Sequence, residues 1–184
     1  PIKGTRPRGT STADDQANAD ELVGSAKDRA ENLMIVDLLR NDLGRSCKTG
    51  SVRVPELFAL ESYPNVHHLV SAVTGELAEN HDALDLIAGS FPGGSITGAP
   101  KIRAMQIIDE LEAAPRGLYT GSLGWFAPDG DFRLNVAIRT VEVAADGRGK
   151  MGIGSGLVID SDPAAEWAEC WLKARFLLHA PQLA

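Results

Sequence analysis

Apolar residues along the chain follow two periods. From Ala19 to Asn41 the positions Leu22, Ala26, Ala30, Leu33, Ile35, Val36, Leu38 and Leu39 recur at helical spacing, and Gly44 ends the run, so one long amphipathic helix is predicted there. Ser51–Val54 and Val66–Val73 read as strands, and His81–Ala88 as a short helix. Pro100 suits the first position of a helix carrying Ile102, Met105, Ile108 and Leu111. Tyr119–Ala127 and Phe132–Val143 flank Asp129-Gly130, the signature of a hairpin turn, and Lys150–Ile159 reads as a further strand. Asp162 is a predicted N-cap and Pro163 a first helical residue, opening a helix through Trp167, Trp171, Ala174, Phe176 and Leu178. The polar stretch Ser11–Ala19 reads as a mobile loop. This mixture predicts an α+β fold in which helices cover a sheet face.

Composition narrows the classes of function. A chain of 184 residues with 43% apolar content can bury one substantial core. A formal charge of −7, with lysine and arginine scattered, supplies no basic stripe for a phosphate backbone, so no nucleic-acid partner is expected. No apolar run reaches the roughly 20 residues that span a bilayer, so no membrane association and a cytoplasmic location are expected. Cys47 and Cys170 are far apart in apolar surroundings and read as reduced thiols.

Several residues could carry chemistry. Asp28/Glu31 and Glu166/Glu169 are carboxylate pairs at i,i+3, each on one helical face. Such a pair is either a solvated surface or, if a cation is present, a source of the one or two carboxylates that Mg²⁺ takes. Trp167 and Trp171 beside the second pair predict a largely buried helix. The glycine-rich Ser90–Pro100 segment ends at a helix start, where free N–H groups favour an anion; Lys101 and Arg103 in the first turn would be explained by an anionic partner. Gly152, Gly154 and Gly156 alternate along one face of the predicted strand, which weakens it unless something approaches its backbone closely. Their spacing is not that of a dinucleotide fingerprint. Of His67 and His68, adjacent in a strand, only one can face a given site. Arg139, if buried, needs a carboxylate.

Taken together, Pro1–Gly9, Ala30–Gly44, Gly98–Met105, Ala137–Thr140 and Gly154–Gly156 through Asp160–Pro163 closely resemble the chorismate-utilising enzymes, in order and at matching spacing from the first residue to about Phe176. The resemblance implies large, mostly antiparallel sheets sandwiched between helices, with chorismate and Mg²⁺ in a cleft. It also implies that residues 1–184 are the carboxy-terminal portion of a catalytic domain, since family members run to more than twice this length. Carried over by position, Glu31 and Glu169 resemble the Mg²⁺ ligands and Asp28 and Glu166 the carboxylates that orient metal-bound water. Ser95, Tyr119, Arg139, Gly154, Ser155, Gly156 and Lys173 resemble the groups that hold the substrate. His68, rather than His67, corresponds to the active-site histidine.

Lys3 marks the branch of the family that aminates chorismate at C4, where anthranilate synthases usually carry alanine, and Asn32 points the same way. The implied reaction is formation of 4-amino-4-deoxychorismate through an adduct on Lys3. Its ammonia would come from a glutaminase subunit or domain, because the chain has no Cys-His pair suited to glutamine hydrolysis. Addition of ammonia at C2 to give anthranilate is the nearest alternative, and an inactive docking module is the alternative from another class.

Overall fold

In the computed structural model, residues 1–178 are described, with the side chains of residues 176–178 excepted; the side chains of Phe176 and Leu178, read as positions along the last helix, therefore lie outside the described ones. The chain divides into two compact units, Pro1–Ile108 and a second from Asp109 onward. Both mix helices with antiparallel strands, as the periodicity and the family resemblance predict.

The first unit is built on a three-stranded antiparallel sheet in the order β1 (Ile2–Pro7), β3 (Val66–Thr74), β2 (Arg53–Ser62). Two helices, α1 (Thr12–Gly24) and α2 (Ala26–Gly44), pack against β1 and β3. Leu22, Ile35, Val36 and Leu69 are buried in this unit. Asn32 lies among them: its Nδ2 donates to the Leu69 carbonyl at 3.0 Å and its Oδ1 accepts from Ser71 Oγ at 2.6 Å, which satisfies a fully buried amide and pins α2 to β3.

Helix α1 replaces the mobile loop read over Ser11–Ala19, and the single helix read over Ala19–Asn41 is two. The reason is capping. Ser11 Oγ accepts from Asp14 N, and Asp14 and Asp15 favour the positive end of α1. Ser25, extended at ψ 107°, closes α1 through its N–H to Leu22 O and opens α2 by accepting from Asp28 N at 3.3 Å. One residue thus ends one helix and starts the next, a break that apolar spacing does not register.

Strand β2 extends eight residues past the predicted Val54. Pro55 obscures it, having no N–H for a ladder; its stretch falls where the β2–β3 register shifts between Arg53 and Glu56. Helix α3 (Ala83–Ser90) starts two residues later than read, at a capping box formed by Asp82 and Asp85. A four-residue helix, α4 (Gly94–Thr97), interrupts the glycine-rich segment before α5 (Lys101–Leu111), which ends at the predicted residue.

In the second unit the predicted hairpin turn is present. β4 (Gly124–Phe126) pairs with β5 (Phe132–Leu134) across Asp129-Gly130, with Gly130 at φ 96°. The long strands read on either side are only partly regular. Pairing continues as Asn135 N to Leu123 O, Ala137 N to Gly121 O and Thr120 N to Ala137 O, each 2.9 Å, but Thr120 and Arg139 have φ of 62° and 51°, which breaks the pleat. Beyond them, among the described residues, only the short pair β6 (Glu142–Val143) and β7 (Gly149–Lys150) forms, so the strand read over Lys150–Ile159 is irregular backbone after Lys150. Leu157, Val158 and Ile159 are exposed, so β-branched composition there has no pleated surface to fit. Helix α6 (Pro163–Leu178) begins as read, with Ala165 N donating to Asp162 Oδ1 at 2.8 Å.

Cys47 and Cys170 are free thiols. Among the described residues no helix is long and apolar enough to cross a membrane.

Candidate functional site

Lys3, Asp28, Glu31, His68 and Ser95 belong to the first unit, and Tyr119, Arg139, Gly154, Ser155, Gly156, Glu166, Glu169 and Lys173 to the second.

In the first unit the Lys3 strand is pressed on the acidic helix. Gly4, at φ 93°, leaves no room for a side chain: a Cβ there would lie 2.8 Å from Leu22 Cδ1 and 2.9 Å from Asp28 Cβ. The register of β1 against β3 shifts over this stretch, between Ile2 and Thr5. Arg6, two residues on, donates from Nη2 to Asp28 Oδ2 at 3.0 Å and grips Glu21 with Nε and Nη2. Its Glu21 and Asp28 partners raise the guanidinium pKa above its usual value. Glu31, one turn along from Asp28, is half-buried and has no hydrogen bond or ion pair among the described residues.

The paired histidines part as their strand demands. His67 is buried, with Nε2 3.0 Å from Asp15 Oδ1 and Nδ1 2.8 Å from Ser62 Oγ. Asp15 is held well below the usual carboxylate range, first by Arg8 and then by the Gly9 N–H. His67 is therefore part of a structural lock between β3 and α1. His68 points the other way, with Nδ1 2.9 Å from Thr5 Oγ1 on β1 and its ring edge-on to Tyr63.

Ser95 is exposed on α4. The anionic partner sought for Lys101 is inside the fold: Nζ lies 2.7 Å from the buried Asp42 Oδ2 and 3.1 Å from the Ser90 carbonyl. Arg103 reaches Gln106 Oε1 at 3.3 Å. A shallow cavity of about 480 Å³ lined by Ala30, Leu33, Met34, Asp37, Leu38 and Ala99 runs beside α2 without including the predicted site residues.

In the second unit the alternating glycines acquire a cause. A Cβ built at Gly152 would run into the Tyr119 ring, and one at Gly154 would lie 2.6 Å from the Tyr119 hydroxyl oxygen, whereas nothing lies within 4 Å of one at Gly156. The phenol lies along the bare backbone of Gly152 and Gly154. Burial pushes its pKa up, so Tyr119 is a neutral hydrogen-bond donor across the physiological range. Lys173 Nζ donates to Gly154 O at 3.0 Å and pairs with Glu169 at 2.6 Å, which joins α6 to the glycine segment. Ser161 Oγ donates to Glu166 Oε1 at 2.7 Å, and Ser155 is half-buried. Arg139 is exposed, without a hydrogen bond or ion pair among the described residues, so the condition under which it would require an internal carboxylate is not met. The reading of α6 as largely buried is also corrected: Trp167 and Trp171 are 64% and 52% exposed and shield each other edge to face. Two indoles at i,i+4 can cover one another on an open helix face.

Among the described residues no three His, Cys, Asp or Glu side chains converge as a metal cluster. On α2 the donors of Asp28 and Glu31 are hard carboxylate oxygens, and Glu31 has both of its oxygens uncommitted; such a pair suits Mg²⁺, which needs only one or two protein carboxylates, whereas on α6 Glu169 pairs with Lys173 and Glu166 accepts from Ser161. Sequence reasoning missed the residues that arrange this set: Arg6 against Asp28, Asp42 against Lys101, and Thr5 against His68. These partners are 22, 59 and 63 positions apart in the chain and leave no local pattern.

Comparison with known proteins places these observations. The chain is 52% identical over 183 residues to aminodeoxychorismate synthase component 1 of Bacillus subtilis (strain 168), covering 100% of this chain and 39% of that protein. It is 48% identical over 184 residues to anthranilate synthase component 1 of Aquifex aeolicus (strain VF5), covering 37% of that protein. The chain thus spans well under half the length of these relatives. The crystal structure of anthranilate synthase component I from Streptococcus pneumoniae TIGR4 superposes with a TM-score of 0.79 at 36% identity, over 92% of this chain and 40% of that one. The model of the chorismate binding enzyme family matches residues 1–179, and the chain belongs to that family.

Proposed function

We propose that the protein aminates chorismate at C4, giving 4-amino-4-deoxychorismate. The observation that carries this reading is Lys3 on β1, packed through Gly4 against the Asp28/Glu31 helix, in a chain 52% identical to an aminodeoxychorismate synthase component 1. In this reading the Lys3 amine attacks C2 as the C4 hydroxyl leaves. Ammonia then forms a bond to C4, the C2–N bond to Lys3 breaks, and the amine is released.

Arg139 and Tyr119 offer a guanidinium and a neutral phenol for the substrate carboxylates, while the backbone of Gly154, Ser155 and Gly156, braced by Lys173, lets a planar ring approach. Ser95 offers a hydroxyl, and His68, held at Nδ1, presents Nε2 for proton transfer. Glu31 and Glu169 would hold Mg²⁺, with Asp28 and Glu166 orienting its water. The ion would supply Lewis acidity to the ring carboxylate and the departing hydroxyl. Because the relatives are named as a component 1, the ammonia is assigned to a separate glutaminase component or domain.

The second reading is anthranilate formation by addition at C2, favoured by the 48% identity to an anthranilate synthase component 1. Incubating the protein from its complete reading frame with chorismate, Mg²⁺ and ammonium, then identifying products by chromatography, separates the two. Aminodeoxychorismate is expected, with a covalent adduct on the Lys3 peptide by mass spectrometry when ammonia is withheld. Anthranilate formed without an added lyase overturns the C4 reading. Full activity in Lys3→Arg with no adduct overturns the covalent step.

A further inference from the structure

Helix α2 carries the carboxylate Glu31 near its start and Asp42 in its last turns. Residues 31, 38 and 42 fall within about 40° of one line on a helix with 3.6 residues per turn, with Leu38 about 10 Å along the axis from Glu31. The segment bearing Ser95 is fastened to α2 at Leu38 and Asp42. Gly94 is buried there, and a Cβ on it would collide with the Leu38 side chain. Seven residues later Lys101 spans Asp42 Oδ2 at 2.7 Å and the Ser90 carbonyl at 3.1 Å, so one ammonium ties both ends of the 91–100 loop to one helix.

This clamp is an odd choice for stability alone. Asp42 is 3% and Lys101 18% exposed, and a carboxylate in the last turns of α2 opposes that helix's dipole. A buried ion pair returns little net stability over an apolar pair of the same shape. What it adds is direction: the ammonium is satisfied only when Ser90, Asp42 and the start of α5 meet.

We infer that Lys101 is a positioning residue, whose bonds to Asp42 and Ser90 set where the Ser95 hydroxyl stands relative to Glu31 on the same face of α2. The inference rests on the chorismate reading for Ser95 and Glu31, but the clamp itself can be read without activity.

Lys101→Met, Asp42→Asn and the double variant are compared with Lys101→Arg in the protein from its complete reading frame. Each single variant strands one charge and should lower the melting temperature; the double variant strands none and should recover it. A purely structural pair would recover KM for chorismate together with stability. A positioning pair leaves KM raised about tenfold in the stable double variant, with kcat within about twofold, while Lys101→Arg stays near the unsubstituted protein. Hydrogen exchange of residues 91–100 should be faster in the double variant. Wild-type KM and unchanged exchange in the stable double variant overturn the inference. Failure of the unsubstituted protein to consume chorismate overturns the functional reading instead, and exchange alone then decides whether the clamp orders the loop.

Discussion

Arg6 Nη2 and Asp28 Oδ2 lie 3.0 Å apart, so the strand that carries Lys3 and the helix that carries Glu31 are joined by a charge-assisted hydrogen bond. The same guanidinium also holds Glu21 on α1. One side chain therefore sets the spacing of three elements around the proposed nucleophile.

Arg6→Met removes those bonds and leaves Asp28, 16% exposed, facing an apolar group. A loss of about 2–3 kcal/mol in urea denaturation is expected, and Arg6→Lys should recover only part of it because one ammonium cannot reproduce the fork. Stability within about 0.5 kcal/mol of the unsubstituted protein would place the Arg6–Asp28 contact outside the fold's framework.

Gly4→Ala meets two obstacles at once, a φ of 93° and atoms 2.8–2.9 Å from the new Cβ. A destabilisation of about 1–3 kcal/mol is expected, accompanied by a fall in kcat as the Lys3 strand moves off α2. Gly50→Ala, also at positive φ (78°) but with nothing within 4 Å, isolates the backbone part of the effect. Equal losses in the two variants would mean that close packing at Gly4 contributes nothing.

The glycines beneath Tyr119 make a graded test. Gly152→Ala and Gly154→Ala should displace the phenol and raise KM for chorismate about tenfold or more, whereas Gly156→Ala, which leaves the phenol in place and adds a methyl only on the backbone the substrate approaches, should raise it by a smaller factor. Tyr119→Phe reports the hydroxyl separately. A uniform response along the three glycines would detach Tyr119 from substrate binding.

Acid stability follows from Asp15. Its native pKa lies below that of the unfolded chain because Arg8, the Gly9 N–H and His67 bind the carboxylate form, so its contribution is present above about pH 4 and is lost as pH falls further. Arg8→Gln, which removes the largest cause, should lower stability at pH 7, and the gap to the unsubstituted protein should narrow toward pH 3. A gap that is constant from pH 7 to pH 3 in urea titrations would show that the Arg8–Asp15 pair is not linked to protonation.

Local pattern alone determined much of this protein. The apolar period located α2, α5 and α6; Asp129-Gly130 located the hairpin; Asp162-Pro163 located the start of α6. The ordered motifs were enough to identify the family, because side chains that meet one substrate must recur at set places in the chain. The carboxylate pairs were legible for the same local reason, since i and i+3 share a helix face whatever the rest of the fold does.

Tertiary structure alone decided the rest. The glycine alternation at 152 and 154 was visible, but that a tyrosine more than 30 residues away lies along it was not. Two adjacent histidines had identical local credentials; the sheet assigned His67 to Asp15 and Ser62 inside the fold and His68 to Thr5 on the other face. Lys101 read as half of an anion site and became half of an internal ion pair, because Asp42, 59 residues earlier in the chain, comes within 2.7 Å. The physical reason is common to all three. Helix and strand propensities act over a few residues, whereas the partner of a charge, a hydroxyl or a ring is whatever the folded backbone brings within about 3 Å, and chain distance places no limit on that.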